Sequence, residues 1–415
     1  MKILVLNCGS SSVKSQLIET DLESIETNSD RTLACGSVEK IGMTSSVVRY
    51  EPVGGEVFKD TPEILEHKVA IDRLLHLYAD PTRGVIRSLA DIEAVGHRIV
   101  HGGEKFSQSA AITPEILKQI EECVELAPLH NPHNIRGYRA AAELLPGVPH
   151  VAVFDTAFHQ TMPDYAFMYG LPRILYKRHA IRRYGFHGTS HRYVSYRVAQ
   201  LLNTSREKLR IITCHLGNGC SMAAIKFRRS IDTSMGFTPL EGLMMGTRTG
   251  DLDPAVILHI MAKEDLGLSE ANALLNKHSG LYGVSGISND MRELEESARE
   301  GDRHARLAID MFCYRIKKYI ARYAAVMNRL DVLVFTGGIG ENSPRSARSV
   351  ARSWTFWASS HRTRTERRHP PRQEDCISCV SGPCMVWVIP TNEELIIARD
   401  TVRLILTGDP RPTNR

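Results

Sequence analysis

Three glycine-rich turns follow short apolar runs, and their composition suits the binding of phosphate. They stand in KILVLNCGSSSVKSQLIE, in LRIITCHLGNGCSMAAIK and in DVLVFTGGIGEN. Glycine permits backbone conformations and close approaches that a side chain forbids, so the N–H groups of such a turn can point at phosphate oxygens. A single turn of this kind is more often only a tight hairpin. Three of them in one chain predict a nucleotide bound in a cleft between two domains.

The first turn is not a P-loop. It lacks the pattern G-x-x-x-x-G-K-[ST], and it continues into a second amphipathic strand rather than into a helix. The second turn has the same plan of strand, polar residue, Gly/Ser-rich turn and strand, about half a chain further on. The sequence therefore predicts two related halves, each with a phosphate-facing hairpin.

The elements that carry these turns alternate between strands and helices, which indicates an α/β architecture. The predicted buried strands are Ile3–Leu6, Val151–Phe154, Ile211–Cys214 and Val332–Phe335. Helices are predicted to begin at Thr113-Pro114 and at Asn131-Pro132, where the first residue caps the helix and proline follows. The longest helical pattern runs from Asp302 to Met327, with apolar residues near helical spacing at Leu307, Met311, Ile316 and Ile320.

Composition indicates a globular protein long enough for two domains. The chain has 415 residues, of which 42% are hydrophobic and 24% are charged. No apolar run approaches the 18 or so residues of a membrane span, and Ile3–Leu6 is too short for a signal peptide. The nine scattered cysteines fit reduced thiols better than a disulfide framework. We expect a cytoplasmic protein without a membrane partner.

The positive net charge belongs to one segment and does not indicate a nucleic-acid partner. Of the total of +5, Arg345–Arg372 alone contributes +7, so the other residues carry a net −2. The basic character is thus a property of one segment and not of the chain as a whole, and we expect no nucleic-acid partner.

Longer motifs make the chain similar to the acetokinase family, which belongs to the wider group of sugar kinases, actin and Hsp70 ATPases. Besides LNCGSSSVK and HLGNG, the motifs are GHRIVHGG, APLHNP, VAVFDTAFHQTMP, RRYGFHGTSH, DTSMGFTPLEGLMMGTRTGDLDP, FTGGIGEN and PTNEEL. The resemblance implies two related actin-like (ribonuclease H-like) domains with a nucleotide cleft between them. We expect residues 1–155 plus 391–415 in the first domain and 156–390 in the second, with domain closure and a homodimer as in the family.

The resemblance implies reversible transfer of the γ-phosphoryl group of ATP to acetate, which gives acetyl phosphate and ADP. It assigns Arg98 to the acyl substrate, Arg248 to the phosphoryl group in flight, and His187 as a donor to that group. Asp155 is the family's acidic catalytic residue. Because a carboxylate substrate has no proton to lose, we expect Asp155 to orient Arg98 or a Mg²⁺-bound water rather than to act as a base.

The resemblance also implies the binding residues. His130 and His215 are expected to be auxiliary. Mg²⁺, with Mn²⁺ as an alternative, is expected on Asn7 and Glu393. Thr391 and Glu394 have capping-box spacing, which would leave Glu393 free to reach the site. The nucleotide-binding candidates are Lys14, His215, Leu216, Gly217, Asn218, Gly219, Asp290, Met291, Arg292, Gly338, Ile339, Gly340, Glu341 and Asn342, with Gly338–Asn342 as a turn at the adenosine end. The candidates for an apolar acyl pocket, each of which could instead be a core residue, are Val100, Leu129, Phe186 and Pro239.

The resemblance fails over Arg345–Trp387 and resumes at Val388. This segment contains all three tryptophans and no lysine, and its periodicity is weak. We interpret it as the product of a reading-frame slip that was later restored, which translation of the coding DNA in the other two frames would test. The alternatives are a divergent insertion and a metal site at Cys376, Cys379 and Cys384.

Two single positions also depart from the family pattern. Cys220 stands where glycine is usual, and its side chain puts the affinity for the nucleotide in doubt. Ser15 stands where an apolar residue is usual.

Several functions stay open. The alternatives are a propionate or butyrate kinase, a sugar or glycerol kinase, and a non-catalytic nucleotide-binding protein of actin or Hsp70 type. A further alternative is a catalytically impaired nucleotide-binding protein, if Arg345–Trp387 disrupts the second domain.

Overall fold

A computed structural model describes residues 1–342, 374–377 and 384–410 of the chain. The chain divides into two compact units. Unit 1 comprises Met1–Phe158 and Asn392–Arg415, and unit 2 comprises His159–Thr391.

Unit 1 is built on one mixed sheet with helices on both faces. Its elements before the chain enters unit 2 are β1 (Lys2–Cys8), β2 (Ser12–Glu19), α1 (Leu22–Thr27), β3 (Arg31–Glu39), β4 (Val47–Pro52), β5 (Phe58–Asp60), α2 (His67–Tyr78), β6 (Ala94–Ile99), β7 (Ala110–Ala111), α3 (Pro114–Glu122), α4 (Asn131–Leu144) and β8 (His150–Phe154). Short 3₁₀ helices span Leu89–Asp91, Cys123–Leu126 and Ala157–Thr161.

The eight strands of this sheet lie in the order β5-β4-β3-β2-β1-β6-β8-β7. The pairs β1–β2 and β2–β3 are antiparallel, whereas β1–β6 and β6–β8 are parallel. Because parallel strands share an edge at their carboxyl ends, the ends of β1, β6 and β8 lie side by side. This edge carries Asn7, Arg98 and Asp155.

Unit 2 contains a second mixed sheet. Its elements are α5 (Asp164–Phe167), α6 (Arg173–His179), α7 (Gly188–Leu201), β9 (Arg210–Leu216), β10 (Cys220–Lys226), β11 (Arg229–Thr233), α8 (Pro254–Glu264), α9 (Leu268–Lys277), α10 (Gly280–Ser285), α11 (Met291–Arg299), α12 (Arg303–Met327), β12 (Val332–Thr336), α13 (Gly337–Asn342), β13 (Asp375–Cys376) and β14 (Met385–Val388). A 3₁₀ helix spans Arg206–Lys208.

The second sheet repeats the central connectivity of the first. Its order is β11-β10-β9-β12-β14-β13, with β9–β10 and β10–β11 antiparallel and β9–β12 and β12–β14 parallel. The predicted hairpins β1–β2 and β9–β10 therefore occupy equivalent places in the two sheets. The α/β fold class is confirmed.

Strand β14 shows that the last residues of the segment Arg345–Trp387 belong to the sheet of unit 2. Met385, Val386 and Trp387 belong to Arg345–Trp387, yet they pair in parallel with Val332, Leu333 and Val334 of β12. They supply the strand that corresponds to β8 of unit 1. The weak periodicity noted in the sequence concealed this strand, since four residues are too few to show an alternation. The rest of the segment, apart from 374–377 and 384, lies outside the described residues.

The chain returns to unit 1 in helix α14 (Glu393–Thr407). Ile397, Ala398 and Val402 of this helix are buried against Ile3 and Val5 of β1. On the opposite face of the sheet, Leu4 and Leu6 pack with residues of α2 and α4. The sheet of unit 1 therefore has an apolar core on each side, and the C-terminal helix is part of it.

All three predicted helix starts hold to within one residue, but two capping assignments are wrong. Thr113 accepts a hydrogen bond from Ile116 N, and Asp302 caps α12. Helix α4 includes Asn131, whose side chain instead binds the backbone of His101, so His130 occupies the N-cap position. Asn392, rather than Thr391, caps α14, because its Oδ1 accepts from Leu395 N at 3.0 Å.

Within the described residues, no helix combines the length and the apolar character needed to cross a membrane. The eight cysteines in this part of the chain are free thiols. The cytoplasmic location stays a prediction.

Candidate active site

In unit 1, Arg98 is held between a carboxylate and an amide at the edge of the sheet. Arg98 Nε donates to both carboxylate oxygens of Asp155 at 3.1 Å, and Nη1 donates to Asn7 Oδ1 at 3.2 Å. The Asp155 side chain is 1% exposed, whereas that of Arg98 is 22% exposed. The fork of Arg98 is thus fixed from behind by a buried partner, while part of it stays accessible to an anion.

Neighbouring acidic side chains stabilise the charged form of Arg98. Burial alone would lower the pKa of the guanidinium, but Asp155 and then Glu393 raise it above the ordinary value. Glu394 belongs to the same group: burial, followed by the charge of Glu393, raises its pKa, and Arg98 and Lys14 oppose the shift. The expectation that Glu394 serves in a capping box is wrong, because Asn392 caps the helix.

Lys14 and Asn7 face each other across the first hairpin. They are directly opposed in the register of β1 and β2, so their side chains lie on the same face. Asn7, Glu393 and Glu394 supply hard oxygen donors of the kind that Mg²⁺ prefers. No group of three or more His, Cys, Asp or Glu side chains that could hold a metal occurs in the described part of the chain. This donor set fits a Mg²⁺ ion that is coordinated largely by phosphate and water.

Two polar residues that the sequence analysis missed fix the hairpin of unit 1. Asn134 Nδ2 donates to Cys8 O at 2.8 Å, and Asn134 Oδ1 accepts from Val100 N at 3.0 Å. His67 Nε2 donates to Gly9 O at 2.7 Å. Asn134 on α4 thereby connects the phosphate-type turn to the segment that follows Arg98. Its place three residues after Asn131 in the motif HNPHN was the available signal.

In unit 2, Arg248 and His187 flank the second glycine turn. A Cβ atom at Gly219 would lie 3.5 Å from Arg248 Nη1 and 3.6 Å from His187 Cε1. The guanidinium donates to Pro239 O at 3.3 Å. It forms no ion pair with any carboxylate among the residues that the structure describes, and burial lowers its pKa from the ordinary value. A half-buried cation without a carboxylate beside a glycine turn is suited to phosphate.

The segment that carries Arg248 is a closed loop. Asp251 N donates to Gly242 O and Asp251 Oδ1 accepts from Gly242 N, each at 2.9 Å. Asp251 Oδ2 accepts from Tyr319 on α12 at 2.8 Å. The loop is therefore fixed at its base and anchored to the longest helix.

His187 lies immediately before α7 and in an unusual conformation. Its φ of 54° is in the left-handed region, which residues other than glycine rarely adopt. Its ring stacks on that of His215 at a centroid distance of 4.1 Å, and His187 Nδ1 is 2.8 Å from Ser221 Oγ. His215 in turn contacts Ser190 Oγ through Nδ1 at 2.8 Å. The rings are thus held beside Gly219 by several contacts.

The other nucleotide candidates of unit 2 have local roles in the structure. Asp290 caps α11 and pairs with Arg292, whereas the Met291 side chain is buried. Asn289 Nδ2 donates to Asn218 Oδ1 at 3.0 Å and so connects this helix start to the second glycine turn. Asn289 was not among the residues predicted from the sequence.

The third glycine-rich motif is a helix and not the predicted turn. Residues Gly337–Asn342 form α13, in which Glu341 Oε1 accepts from Gly337 N at 2.9 Å. Gly337 has a φ of 78°, and a Cβ atom there would lie 2.8 Å from Leu216 O. Only glycine fits this approach, so the second and third motifs lie against each other. The candidates Gly338, Ile339 and Gly340 belong to the same helix.

The four acyl-pocket candidates are divided between the units. In unit 1, Val100 is buried whereas Leu129 is 68% exposed. In unit 2, Phe186 is buried and Pro239 accepts the hydrogen bond from Arg248. A leucine exposed to this degree has no role in a core, so the alternative of core packing is excluded for Leu129.

The two unusual single residues are accommodated. Ser15 is buried, and its Oγ is 2.8 Å from Tyr78 Oη. Cys220 is also buried; its Sγ donates to Gly217 O at 3.1 Å, and burial raises the pKa of the thiol to about 12. The Cys220 side chain therefore lies inside the hairpin. Of the cysteines suggested as a metal site, Cys379 lies outside the described residues.

Comparisons with known proteins decide the family. The profile of the acetokinase family matches residues 2–399. The chain belongs to the acetokinase family. An acetate kinase of Desulfitobacterium hafniense is 52% identical over 408 residues, which cover 98% of this chain and 100% of the relative.

Solved structures of the acetokinase family agree with the fold. The crystal structure of Porphyromonas gingivalis acetate kinase has a TM-score of 0.91 at 47% identity and covers 97% of this chain and 99% of its own. A propionate kinase from Francisella tularensis has a TM-score of 0.86 at 41% identity, with coverages of 96% and 98%. The family, its two-sheet α/β fold and the enzyme class predicted from the motifs are confirmed: the chain is a kinase of the acetokinase family.

Proposed function

We propose that the chain catalyses the reversible, direct in-line transfer of the γ-phosphoryl group of ATP to acetate. The observation that carries this proposal is the guanidinium of Arg248, which adjoins Gly219 and His187 and has no carboxylate partner among the described residues. Such a group stabilises the charge that spreads over the phosphoryl oxygens in the transition state. The full-length relatives named acetate kinase support acetate as the acceptor.

The residues of unit 1 serve the carboxylate acceptor. Arg98 is preoriented by the buried carboxylate of Asp155, so little conformational entropy is lost when it binds acetate. Acetate is already ionised at neutral pH, and Asp155 is occupied by Arg98. Asp155 therefore acts by orienting Arg98 and not by removing a proton.

Asn7 and Glu393 would hold a Mg²⁺ ion bound together with ATP, and Glu394 is their neighbour. The ion would neutralise phosphate charge during transfer. Asn7 also accepts from Arg98, so the same residue would orient the acceptor site and the metal site. Mn²⁺ is expected to substitute.

Acyl hydroxamate formation tests the proposal. Full-length protein, ATP, Mg²⁺ and hydroxylamine are incubated with acetate, and hydroxylamine traps acetyl phosphate as it forms. We expect acetate-dependent hydroxamate. Its absence from folded protein that still binds ATP would refute the proposal and favour an impaired nucleotide-binding protein.

Propionate is the second candidate acceptor, because a propionate kinase matches 96% of this chain in structure. One additional methylene changes binding in an apolar pocket by about 1–3 kcal/mol. Values of kcat/KM for acetate, propionate and butyrate would rank the acceptors, and we expect acetate to be highest.

We also infer a homodimer formed through unit 2. Helix α8 is rich in apolar residues, yet none of its residues is buried. Leu258 on this helix is 66% exposed, and Leu268 just beyond it is 83% exposed. Exposed apolar side chains of this kind favour contact with a second copy.

A further inference from the structure

A continuous line of hydrogen bonds extends from His187 into the interior of unit 2. His187 Nδ1 is 2.8 Å from Ser221 Oγ, Ser221 Oγ is 2.8 Å from His191 Nε2, and His191 Nδ1 is 2.7 Å from Thr213 Oγ1. The side chains of Ser221, His191 and Thr213 are fully buried. Burial, followed by the neighbouring His159 and His215, holds the pKa of His191 well below its ordinary value. His191 is therefore neutral and carries a single ring proton.

With His191 neutral, three arrangements of the protons are consistent with this line. In the first, Thr213 donates to His191 Nδ1, His191 Nε2–H donates to Ser221, and Ser221 donates to His187 Nδ1. In the second, every donation runs in the opposite direction and ends on Thr213 Oγ1. In the third, His191 Nε2–H and His187 Nδ1–H both donate to Ser221 Oγ, which can accept twice. A hydroxyl can donate once, and each neutral imidazole has one donor and one acceptor nitrogen.

The hydroxyls of Thr213 and Ser221 distinguish these arrangements. Among the described residues, the Thr213 hydroxyl has no hydrogen-bond partner other than His191, and the Ser221 hydroxyl has none other than His191 and His187. In the second arrangement the Thr213 O–H, and in the third the Ser221 O–H, would therefore be a buried donor without an acceptor, which is unfavourable by about 1–3 kcal/mol. In the first arrangement, each donor of the line has an acceptor. The first arrangement is the stable one.

We propose that Thr213, His191 and Ser221 are positioning residues that fix His187 as its Nε2–H tautomer. Ser221 donates to Nδ1, so the proton must reside on Nε2. The Nε2 atom would lie 3.7 Å from a Cβ at Gly219, on the side of the glycine turn. His187 thus presents a neutral N–H donor where phosphate oxygens would lie, without having to rearrange a proton.

The role of the His187 N–H donor in catalysis rests on the proposed function. The tautomer itself does not, since it is a property of the unliganded chain. In phosphoryl transfer a preoriented donor stabilises charge without reorganisation at the moment of reaction. A line of buried hydroxyls and rings supplies that orientation from residues that never touch the substrate.

Nitrogen NMR of the full chain, labelled with ¹⁵N-histidine, tests the tautomer directly and needs no activity. Long-range proton–nitrogen spectra distinguish the Nε2–H and Nδ1–H forms, and the His187 and His191 signals are assigned by comparison with His187→Gln and His191→Gln. At mildly alkaline pH we expect Nε2–H for both rings. An Nδ1–H tautomer or an imidazolium at His187 would overturn the proposal. A correct tautomer in a chain without kinase activity would refute the proposed function and leave this inference standing.

A matched pair of variants tests the consequence for turnover. Thr213→Val removes the terminal donor with little change in shape, and Thr213→Ser keeps the hydroxyl. For Thr213→Val we expect a loss of Nε2–H population at His187 and a fall in kcat of about threefold to tenfold, the size of one net hydrogen bond. The KM for ATP should stay nearly constant, and Thr213→Ser should restore both properties. If Thr213→Val keeps the wild-type tautomer and kcat, the line has no positioning role.

Discussion

At the scale of single residues, the contrast between the two arginines is informative. Arg98 is bound by a buried carboxylate and keeps a fixed orientation. Arg248 has a carbonyl contact and no carboxylate partner among the described residues, and its pKa is lowered by burial. The fixed orientation of Arg98 suits an anion that must be oriented. The guanidinium of Arg248 suits negative charge that develops on the phosphoryl group during the reaction.

The substitution Arg248→Ala tests this distinction. We expect kcat to fall by roughly 10³-fold or more, because the lost guanidinium stabilises the transition state. ATP binding should persist, since the glycine turns remain. Turnover by the hydroxamate assay and ATP affinity by calorimetry check the two parts. Arg248→Lys is the matched control, and it should recover only part of the rate because lysine cannot bind two oxygens with a planar fork. An Arg248→Ala variant with normal kcat would contradict the assignment.

At the scale of elements, helix α4 fixes the two segments that follow Asn7 and Arg98. Asn134 reaches Cys8 O and Val100 N with its two side-chain ends. For Asn134→Ala, we expect the free energy of unfolding to fall by about 1–3 kcal/mol, since buried backbone groups lose their partner. The KM for acetate should rise as well. Denaturant unfolding and acetate kinetics measure these effects. Asn134→Asp, which keeps only the acceptor, should lose the bond to Cys8 O and retain that to Val100 N. Unchanged stability in Asn134→Ala would contradict this role.

A second element-scale prediction concerns pH. His97 on β6 and His150 on β8 are 2.8 Å apart between Nε2 and Nδ1, and burial lowers the pKa of His150 to about 4. The unfolded chain binds a proton near the ordinary value of about 6.5, so stability is lost as the pH falls from there towards 4. Between about pH 7 and pH 5, His150 should account for a loss of about 2 kcal/mol. His150→Asn keeps a hydrogen-bonding group without titrating, and its unfolding should be less dependent on pH by that amount. Equal pH dependence in both proteins would contradict the prediction.

Sequence patterns anticipated those parts of the fold and site that are local. The hairpins β1–β2 and β9–β10 were predictable because strand, turn and strand are contiguous in the chain. Residues that act over long sequence distances were not. His191 contacts Thr213 and Ser221 only in the folded chain. Asn392 caps the last helix in place of Thr391, whose hydroxyl donates to Ser190 Oγ instead.

At the scale of the whole chain, the two sheets share one central strand order, and the chain closes unit 1 with its last helix. The predicted domain boundaries lay at 155/156 and 390/391, and the compact units divide at 158/159 and 391/392. Strand β14 fills the place in unit 2 that β8 fills in unit 1. The repeated order gives that short strand a defined position that its own four residues could not specify.

The proposed dimer gives a prediction at the same scale. Leu258→Glu places a charge on the exposed apolar face of α8 and should convert the dimer to a monomer, because burying an unpaired carboxylate is costly. Light scattering after size-exclusion chromatography measures the mass. Lys263→Glu on the same helix is the charge control and should remain dimeric. A wild-type chain that is monomeric at every concentration would contradict the dimer.

Phosphorus NMR during turnover shows directly whether the γ-phosphoryl group of ATP is transferred to acetate. Full-length chain is mixed with ATP and Mg²⁺, with and without acetate, and the phosphorus signals are followed over time. We expect the γ-phosphate signal of ATP to be replaced by that of acetyl phosphate, in step with ADP and only when acetate is present. Release of inorganic phosphate without acetate, or no turnover by folded protein that binds ATP, would contradict it.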